Sequence, residues 1–193
     1  MLTIPTREKI NAEITLPGSK SITNRALVIG ALARGETELS NWLRCEDTEV
    51  MIECLRALGF EIRGGADKLA IRGKGGEIPA SSARLFAGNS GTSMRFLTGL
   101  TALGVGRYLL NGVPRMRERP IEDLLAALRC LGVDARSLKN NGCPPVEIRS
   151  RGLKGGDCEL PGDVSSQFLS SLLLSCPYAR NNVTLRIKGA LVS

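Results

Sequence analysis

The amino-acid sequence predicts an α/β (α+β) fold made of pseudo-threefold repeats of a βαβαββ unit, with the third unit truncated. Three observations predict it. A glycine-centred segment occurs three times, as ITLPGSKSITNR over Ile14–Arg25, RLFAGNSGTSMR over Arg84–Arg95 and CELPGDVSSQ over Cys158–Gln167; its glycines, Gly18, Gly88 and Gly162, stand 70 and 74 residues apart. A second segment recurs at a spacing of 73, residues 47–63 (DTEVMIECLRALGFEIR) matching residues 120–136 (PIEDLLAALRCLGVDAR). In each copy, short apolar stretches give way to runs at helical spacing, with Gly- and Pro-rich turns between them. Self-similarity at a fixed period marks stacked units that bury their apolar faces on one another.

In the first unit, Ile14 and Leu16 lead through Gly18 and small polar residues into the apolar-periodic run Ile22–Ala33, which reads as strand, tight turn and helix. Residues 47–63 form an amphipathic helix that ends at Leu-Gly and runs into a strand, and another strand is expected near 68–72, before the turn Gly73–Gly76. The second unit repeats this order: a strand into Gly88, a helix over Thr92–Leu103, a helix and strand within 120–136, the turn Asn141–Pro145 and a strand at 145–149. The third has a strand at 157–160, a helix at 164–176 and a strand at 183–187. A second helix is due where the sequence stops at Ser193, so the chain is expected to be cut inside a repeat, which leaves apolar faces uncovered.

Lys and Arg number 26 against 19 Asp and Glu in 193 residues, a net charge of +7, and hydrophobic residues make up 42%. That is enough apolar content for a core. The longest apolar run, Ala26–Ala33, is eight residues and includes a glycine, far short of the roughly 20 that span a bilayer. The start, MLTIPTREKI, has no signal-peptide core. A soluble, cytoplasmic protein without membrane contact is expected. The six cysteines contain no CxxC pair, and most read as buried thiols. The chain has no histidine, which excludes Ser-His and Cys-His nucleophile systems and histidine-metal sites. Acid–base work falls to Lys, Asp, Glu or activated hydroxyls. A positive balance suits nucleic acid, anionic lipid or a small acidic substrate. With one Trp, two Tyr and four Phe, and basic residues spread along the chain, single-strand stacking is poorly supported.

Three Gly-led turns at equivalent places put three helix N-termini on one side of the domain. Each carries unpaired N–H groups and about half a positive charge, a ready anion site. The side chains there agree: Lys20, Ser21 and Arg25 follow the first turn; Asn89, Ser90, Gly91, Thr92 and Arg95 form or follow the second; Ser165, Ser166 and Gln167 open the third helix. Ser and Gln donate hydrogen bonds to oxyanions without adding charge, and Lys and Arg add charge-assisted ones. Ser and Asn also cap helices for structural reasons alone, but three in register favour a ligand. A fourth cluster, Pro114–Pro120, sets Arg115, Arg117 and Arg119 before a helix. Gly18-Ser-Lys-Ser21 lacks the spacing of a phosphate-binding P-loop, and no cofactor fingerprint or metal-ligand set emerges.

The segments Leu16–Ala26, Gly88–Arg95, Pro114–Pro120 and Val164–Phe168 resemble, in order, the signatures of the 5-enolpyruvylshikimate-3-phosphate synthase family. The resemblance runs over essentially the whole chain but covers only about the first half of such an enzyme. It implies an enolpyruvyl transferase-like fold in which each domain is half of an inside-out α/β barrel. Residues 1–18 would hold a first strand belonging to the second domain, residues 19–193 an incomplete first domain, and the second domain would be absent from this chain. It implies transfer of the enolpyruvyl group of phosphoenolpyruvate to the 5-hydroxyl of shikimate 3-phosphate, with release of phosphate and without metal or organic cofactor, in the shikimate pathway to chorismate and the aromatic amino acids.

Position by position, the resemblance implies that Lys20 touches both substrates and takes part in proton transfer. Ser21, Arg25, Ser165 and Ser166 would hold shikimate 3-phosphate, with Gln167 between the two ligands. Gly91, with Asn89 and Thr92 in the same turn, would line the phosphoenolpyruvate pocket beside Arg115, and Ser193 would reach the shikimate ring. Phe96 follows Arg95 where many relatives carry proline, and the acidic base of the second domain is missing, so the isolated chain is expected to be inactive or nearly so. The related UDP-N-acetylglucosamine enolpyruvyl transferase fits less well, because it differs after the early Gly-Ser-Lys and lacks the Ser165-Ser-Gln167 turn. A non-catalytic anion- or nucleic-acid-binding repeat module is the remaining alternative.

Overall fold

The computed structural model describes residues 5–6, 9–65, 67–163 and 165–190. Among the described residues, five α-helices and nine strands fall into three units. The first holds α1 (Lys20–Leu32), β1 (Arg34–Ser40), α2 (Glu46–Ala57), β2 (Glu61–Gly64) and β3 (Lys68–Lys74). In the second are β4 (Ser82–Phe86), α3 (Gly91–Thr101), β5 (Val105–Asn111), a 3₁₀ turn at Pro114–Glu118, α4 (Glu122–Cys130), β6 (Asp134–Ser137) and β7 (Val146–Arg151). The third comprises β8 (Gly156–Pro161), α5 (Ser166–Ser175) and β9 (Val183–Lys188). This is the repeat read from the sequence.

Each unit contributes its own sheet: β1-β3-β2, β4-β5-β7-β6 and β8-β9. Within the second, β4 runs parallel to β5 across the α3 crossover, and β5, β7 and β6 are antiparallel. In the third, β8 runs parallel to β9 across α5. These sheets do not close into a barrel among the described residues. Strands alternate inward and outward side chains; in β5, Tyr108 and Leu110 are buried while Val105 and Arg107 are exposed. Helices fill the interior. Every residue of α3 except Arg95 is buried, as befits a helix that is mostly apolar or small all round. Tyr108, Phe96, Phe168, Leu27, Met51 and Leu97 are among the largest fully buried side chains of the core.

The Leu-Gly signals end α2 and α4 as read. Gly59 and Gly132 adopt φ of 88° and 87°, the left-handed conformation that ends a helix and turns the chain back toward a strand. Gly99 answers a different demand. A Cβ there would stand 3.0 Å from the Ser171 carbonyl oxygen and 3.2 Å from Ser175 Oγ, so α3 and α5 approach to backbone contact because position 99 has no side chain.

One expected element differs. Residues 9–18 form no strand and residues 9–17 are exposed, with Ile10, Ile14 and Leu16 at 84%, 77% and 74%. An extended segment needs a neighbour for its backbone groups, and β1 is paired only with β3 among the described residues. Of the cysteines, Cys54, Cys143 and Cys158 are buried, whereas Cys130 is exposed. Burial pushes the Cys54 thiol up to about 12. No helix of the described residues is long and apolar enough to cross a membrane.

Candidate anion-binding site

The three helices that follow the glycine turns start in the same way. Ser19 Oγ accepts from Ile22 N in α1, Ser90 Oγ from Ser93 N in α3 and Ser165 Oγ from Gln167 N in α5. None of the three has an acidic residue in its first turn. By contrast, α2 begins with Glu46, Asp47 and Glu49, and α4 with Glu122 and Asp123. A carboxylate in the first turn neutralises the positive end of the helix dipole. The glycine-turn helices therefore keep that field free for an external anion, while the others satisfy it internally.

Side chains join the three N-termini. Lys20 Nζ lies 3.2 Å from Asp47 Oδ2 at the start of α2, and Ser93 Oγ donates to the Asp47 carbonyl at 3.1 Å, which links the start of α1 to the start of α3. Gln167 Nε2 donates to Thr92 Oγ1 at 3.1 Å, which links α3 to α5. Arg25 Nη2 donates to Ser170 Oγ at 3.1 Å and completes the circuit from α1 to α5. Lys20, Gly91 and Gln167 thus converge on one face.

An interlock between units is made twice. The Arg25 guanidinium lies 5.3 Å from the centre of the Phe96 ring, and Arg95 lies 5.1 Å from that of Phe168, both within cation–π range. Phe96 is 1% exposed, so it serves as core and as a platform for Arg25. Arg95 Nη1 donates to Gln167 Oε1 at 2.5 Å. Burial, and then the like charge of Arg119, lower the Arg95 guanidinium to about 10.

The predicted residues are distributed as follows. Ser21 is exposed at the start of α1, and its carbonyl accepts from Arg25 Nη1. Asn89 is exposed, and its carbonyl accepts from Arg119 Nη1 at 3.4 Å. Thr92 is buried beneath Gln167, and Ser166 is the first residue of α5. Arg115 points elsewhere: it is exposed and ion-paired with Glu118 at 2.6 Å. The arginine that reaches the second turn is Arg119, whose guanidinium lies against Gly91. Ser193 lies outside the described residues.

Asp47 joins this constellation without a sequence signal, while Arg95 and Arg119 stood among the basic residues of the second turn and of the Pro114–Pro120 cluster without an assigned role. Arg95 had a signal, since the repeat alignment sets it opposite Arg25. Asp47 had none, because its link to Lys20 depends on how α2 docks. One cleft of about 390 Å³ is lined by Trp42, Arg44, Glu53 and Arg56 among others, and none of the site residues lines it.

A profile of the EPSP synthase (3-phosphoshikimate 1-carboxyvinyltransferase) family matches residues 4–193. A 3-phosphoshikimate 1-carboxyvinyltransferase of Shewanella denitrificans is 49% identical over 187 residues, 95% of this chain and 44% of that protein. One from Marinomonas is 43% identical over 194 residues, covering 100% of this chain and 46% of its own. The chain therefore spans less than half the length of these relatives. Among solved structures, EPSP synthase from Acinetobacter baumannii superposes with a TM-score of 0.81 at 32% identity, over 92% of this chain and 40% of that one. The enolpyruvyl transferase NikO from Streptomyces tendae, at 16% identity and a TM-score of 0.65 over 90% of this chain and 39% of its own, shares the fold.

Proposed function

Because this chain belongs to the EPSP synthase family, we propose that it forms the shikimate 3-phosphate-binding half of a 3-phosphoshikimate 1-carboxyvinyltransferase. The observation that carries the reading is the set of three glycine-turn helix starts, free of acidic residues in their first turns and tied together through Lys20–Asp47, Asp47–Ser93 and Thr92–Gln167. Both substrates of that reaction carry a phosphate and a carboxylate, so binding them side by side requires several donors and positive charges in one place.

In the reaction, the 5-hydroxyl oxygen of shikimate 3-phosphate bonds to C2 of phosphoenolpyruvate while the methylene carbon takes a proton and the hydroxyl gives one up. The C2–O bond to phosphate then breaks, and loss of a proton from the new methyl group restores the double bond. Phosphate leaves with the bonding electrons. Ser21, Arg25, Ser165 and Ser166 orient shikimate 3-phosphate. Gly91, Thr92, Asn89 and Gln167 present N–H and O–H donors to phosphoenolpyruvate, with Arg119, whose guanidinium lies against Gly91, as a further cation beside that pocket. Lys20, whose ammonium is half exposed, holds charge on both ligands and moves a proton at the reacting carbon. An acid and a base are needed together; the base comes from a second domain, which also excludes water by closing on the first.

The same reading covers the rest of the polypeptide. By the repeat, α2 packs between α1 and α3, and a second helix of the third unit would pack between α5 and α1. Ile22 and Ile29 on α1 are 68% and 54% exposed and Leu173 on α5 is 56% exposed, the apolar surface such a helix would cover. Residues 1–18 would then pair with a strand of the second domain. The test is enolpyruvyl transfer by the 193-residue chain alone and after addition of the remaining part of the protein as a separate polypeptide. Activity is expected only in the mixture; turnover by the isolated chain would overturn the division of labour.

A further inference from the structure

A glutamine in an anion site can face its ligand in two opposite ways. Turned one way it offers N–H donors, and rotated by half a turn it offers a carbonyl oxygen that repels an oxyanion. Arg95 removes this choice for Gln167. A guanidinium has donors and no acceptor, so the group that lies 2.5 Å from Arg95 Nη1 is the amide oxygen, Gln167 Oε1. The nitrogen therefore points the other way, where one N–H is given to Thr92 Oγ1 at 3.1 Å and the second remains for a ligand. Thr92, having accepted, keeps its own hydroxyl proton to donate. The anchor is itself held on two sides: Phe168 lies under the Arg95 guanidinium, and Ser171 Oγ donates to the Arg95 carbonyl at 2.7 Å.

We propose that Arg95 is a positioning residue that fixes the donor polarity of Gln167 and Thr92, so that the junction of the second and third units presents only hydrogen-bond donors to an oxyanion. The proposal rests on the preceding reading in one respect, that a substrate phosphate or carboxylate sits at this junction. Arg95 does not touch the substrate; it acts through the amide. A guanidinium-to-ammonium change keeps a pure donor in place, whereas a methionine leaves the amide free to turn. A glutamate at position 167 would keep the bond to Arg95 while turning an acceptor toward the ligand.

Two measurements on the isotopically labelled 193-residue chain test this. In the ligand-free protein, nuclear Overhauser contacts between the Gln167 side-chain N–H protons and the Thr92 side chain are expected in the wild type and in Arg95→Lys, and lost in Arg95→Met. Their persistence in Arg95→Met would overturn the proposal whether or not any ligand binds. Calorimetric titration with shikimate 3-phosphate in the presence of phosphoenolpyruvate supplies the second readout. Arg95→Met is expected to weaken binding about tenfold, the loss of one or two charge-assisted contacts, and adding Gln167→Met to it should cost nothing more. Gln167→Glu should keep or raise the melting temperature while losing binding. Additive single-variant losses, or wild-type binding by Gln167→Glu, would overturn the proposal; failure of the wild-type chain to bind would instead overturn the functional reading and leave the Overhauser result to decide the polarity.

Discussion

The guanidinium of Arg119 lies so close to Gly91 that a Cβ at position 91 would stand 2.7 Å from both Nη1 and Nη2. The glycine at the start of α3 is thus the space that Arg119 occupies, and the arginine brings its charge onto a helix N-terminus that has no acid of its own.

Gly91→Ala is expected to push Arg119 aside and leave the fold intact, because what must move is the far end of a flexible side chain. The melting temperature should barely change, while affinity for phosphoenolpyruvate in the reconstituted protein falls several-fold, as when one charge-assisted contact is misplaced. Steady-state kinetics on the variant, with Arg119→Met as the comparison, measure this.

Lys20 and Asp47 form an ion pair whose side chains are 51% and 26% exposed, and such pairs contribute at most about 1 kcal/mol to stability. Lys20→Met is therefore expected to leave the urea midpoint nearly unchanged but to weaken shikimate 3-phosphate binding about tenfold, the scale of a lost charged contact. Loss of fold in parallel with loss of binding would show that the lysine is structural.

Glu147 on β7 is 1% exposed and lies 2.6 Å from Arg107 Nε, 2.5 Å from Arg136 Nη2 and 3.0 Å from Arg149 Nε. Burial alone would raise its carboxyl, but the three guanidinium hydrogen bonds prevail and hold it at about 2, below the ordinary 4.5. A carboxylate lowered on folding stabilises the protein above its unfolded value, and that stability is lost as the pH falls from about 4.5 toward 2. At neutral pH, Glu147→Gln should destabilise by roughly 2 kcal/mol and remove this part of the acid sensitivity. Denaturant titrations at pH 7 and pH 3 compare the two.

Gly99→Ala inserts a methyl group where α3 meets the Ser171 backbone. Rigid backbone cannot yield as a side-chain tip does, so the helices must separate, at a cost of about 1–3 kcal/mol. The opposite sign would be expected of a glycine in an uncrowded helix, where alanine stabilises; thermal denaturation distinguishes the two.

Elements whose signals are local were legible before any coordinates. Leu-Gly at 58–59 and 131–132 ends two helices because glycine adopts the left-handed conformation there, and the serine before each glycine-turn helix caps it. Convergence of Lys20, Gly91 and Gln167 followed from the repeat itself, since equivalent corners of packed copies face the same way. The absent strand at 9–18 was a question of pairing, since an extended segment needs a neighbour for its backbone groups and no strand pairs with it among the described residues. Arg115 and Arg119 looked alike as a charge run; the 3₁₀ turn at Pro114–Glu118 decides which reaches the site, and Glu118 three residues after Arg115 captures it. The cluster about Glu147 depends on cross-strand register, Arg136 standing opposite Glu147 and Arg107 opposite Arg149, which no periodicity discloses.

The most direct test is a calorimetric titration of the 193-residue chain with shikimate 3-phosphate, set beside the same titration with UDP-N-acetylglucosamine. Saturable binding of the first and none of the second is expected, and Arg25→Met should abolish the first. Absence of shikimate 3-phosphate binding, or equal binding of the nucleotide sugar, would contradict the assignment of the three glycine-led helix starts as its cradle.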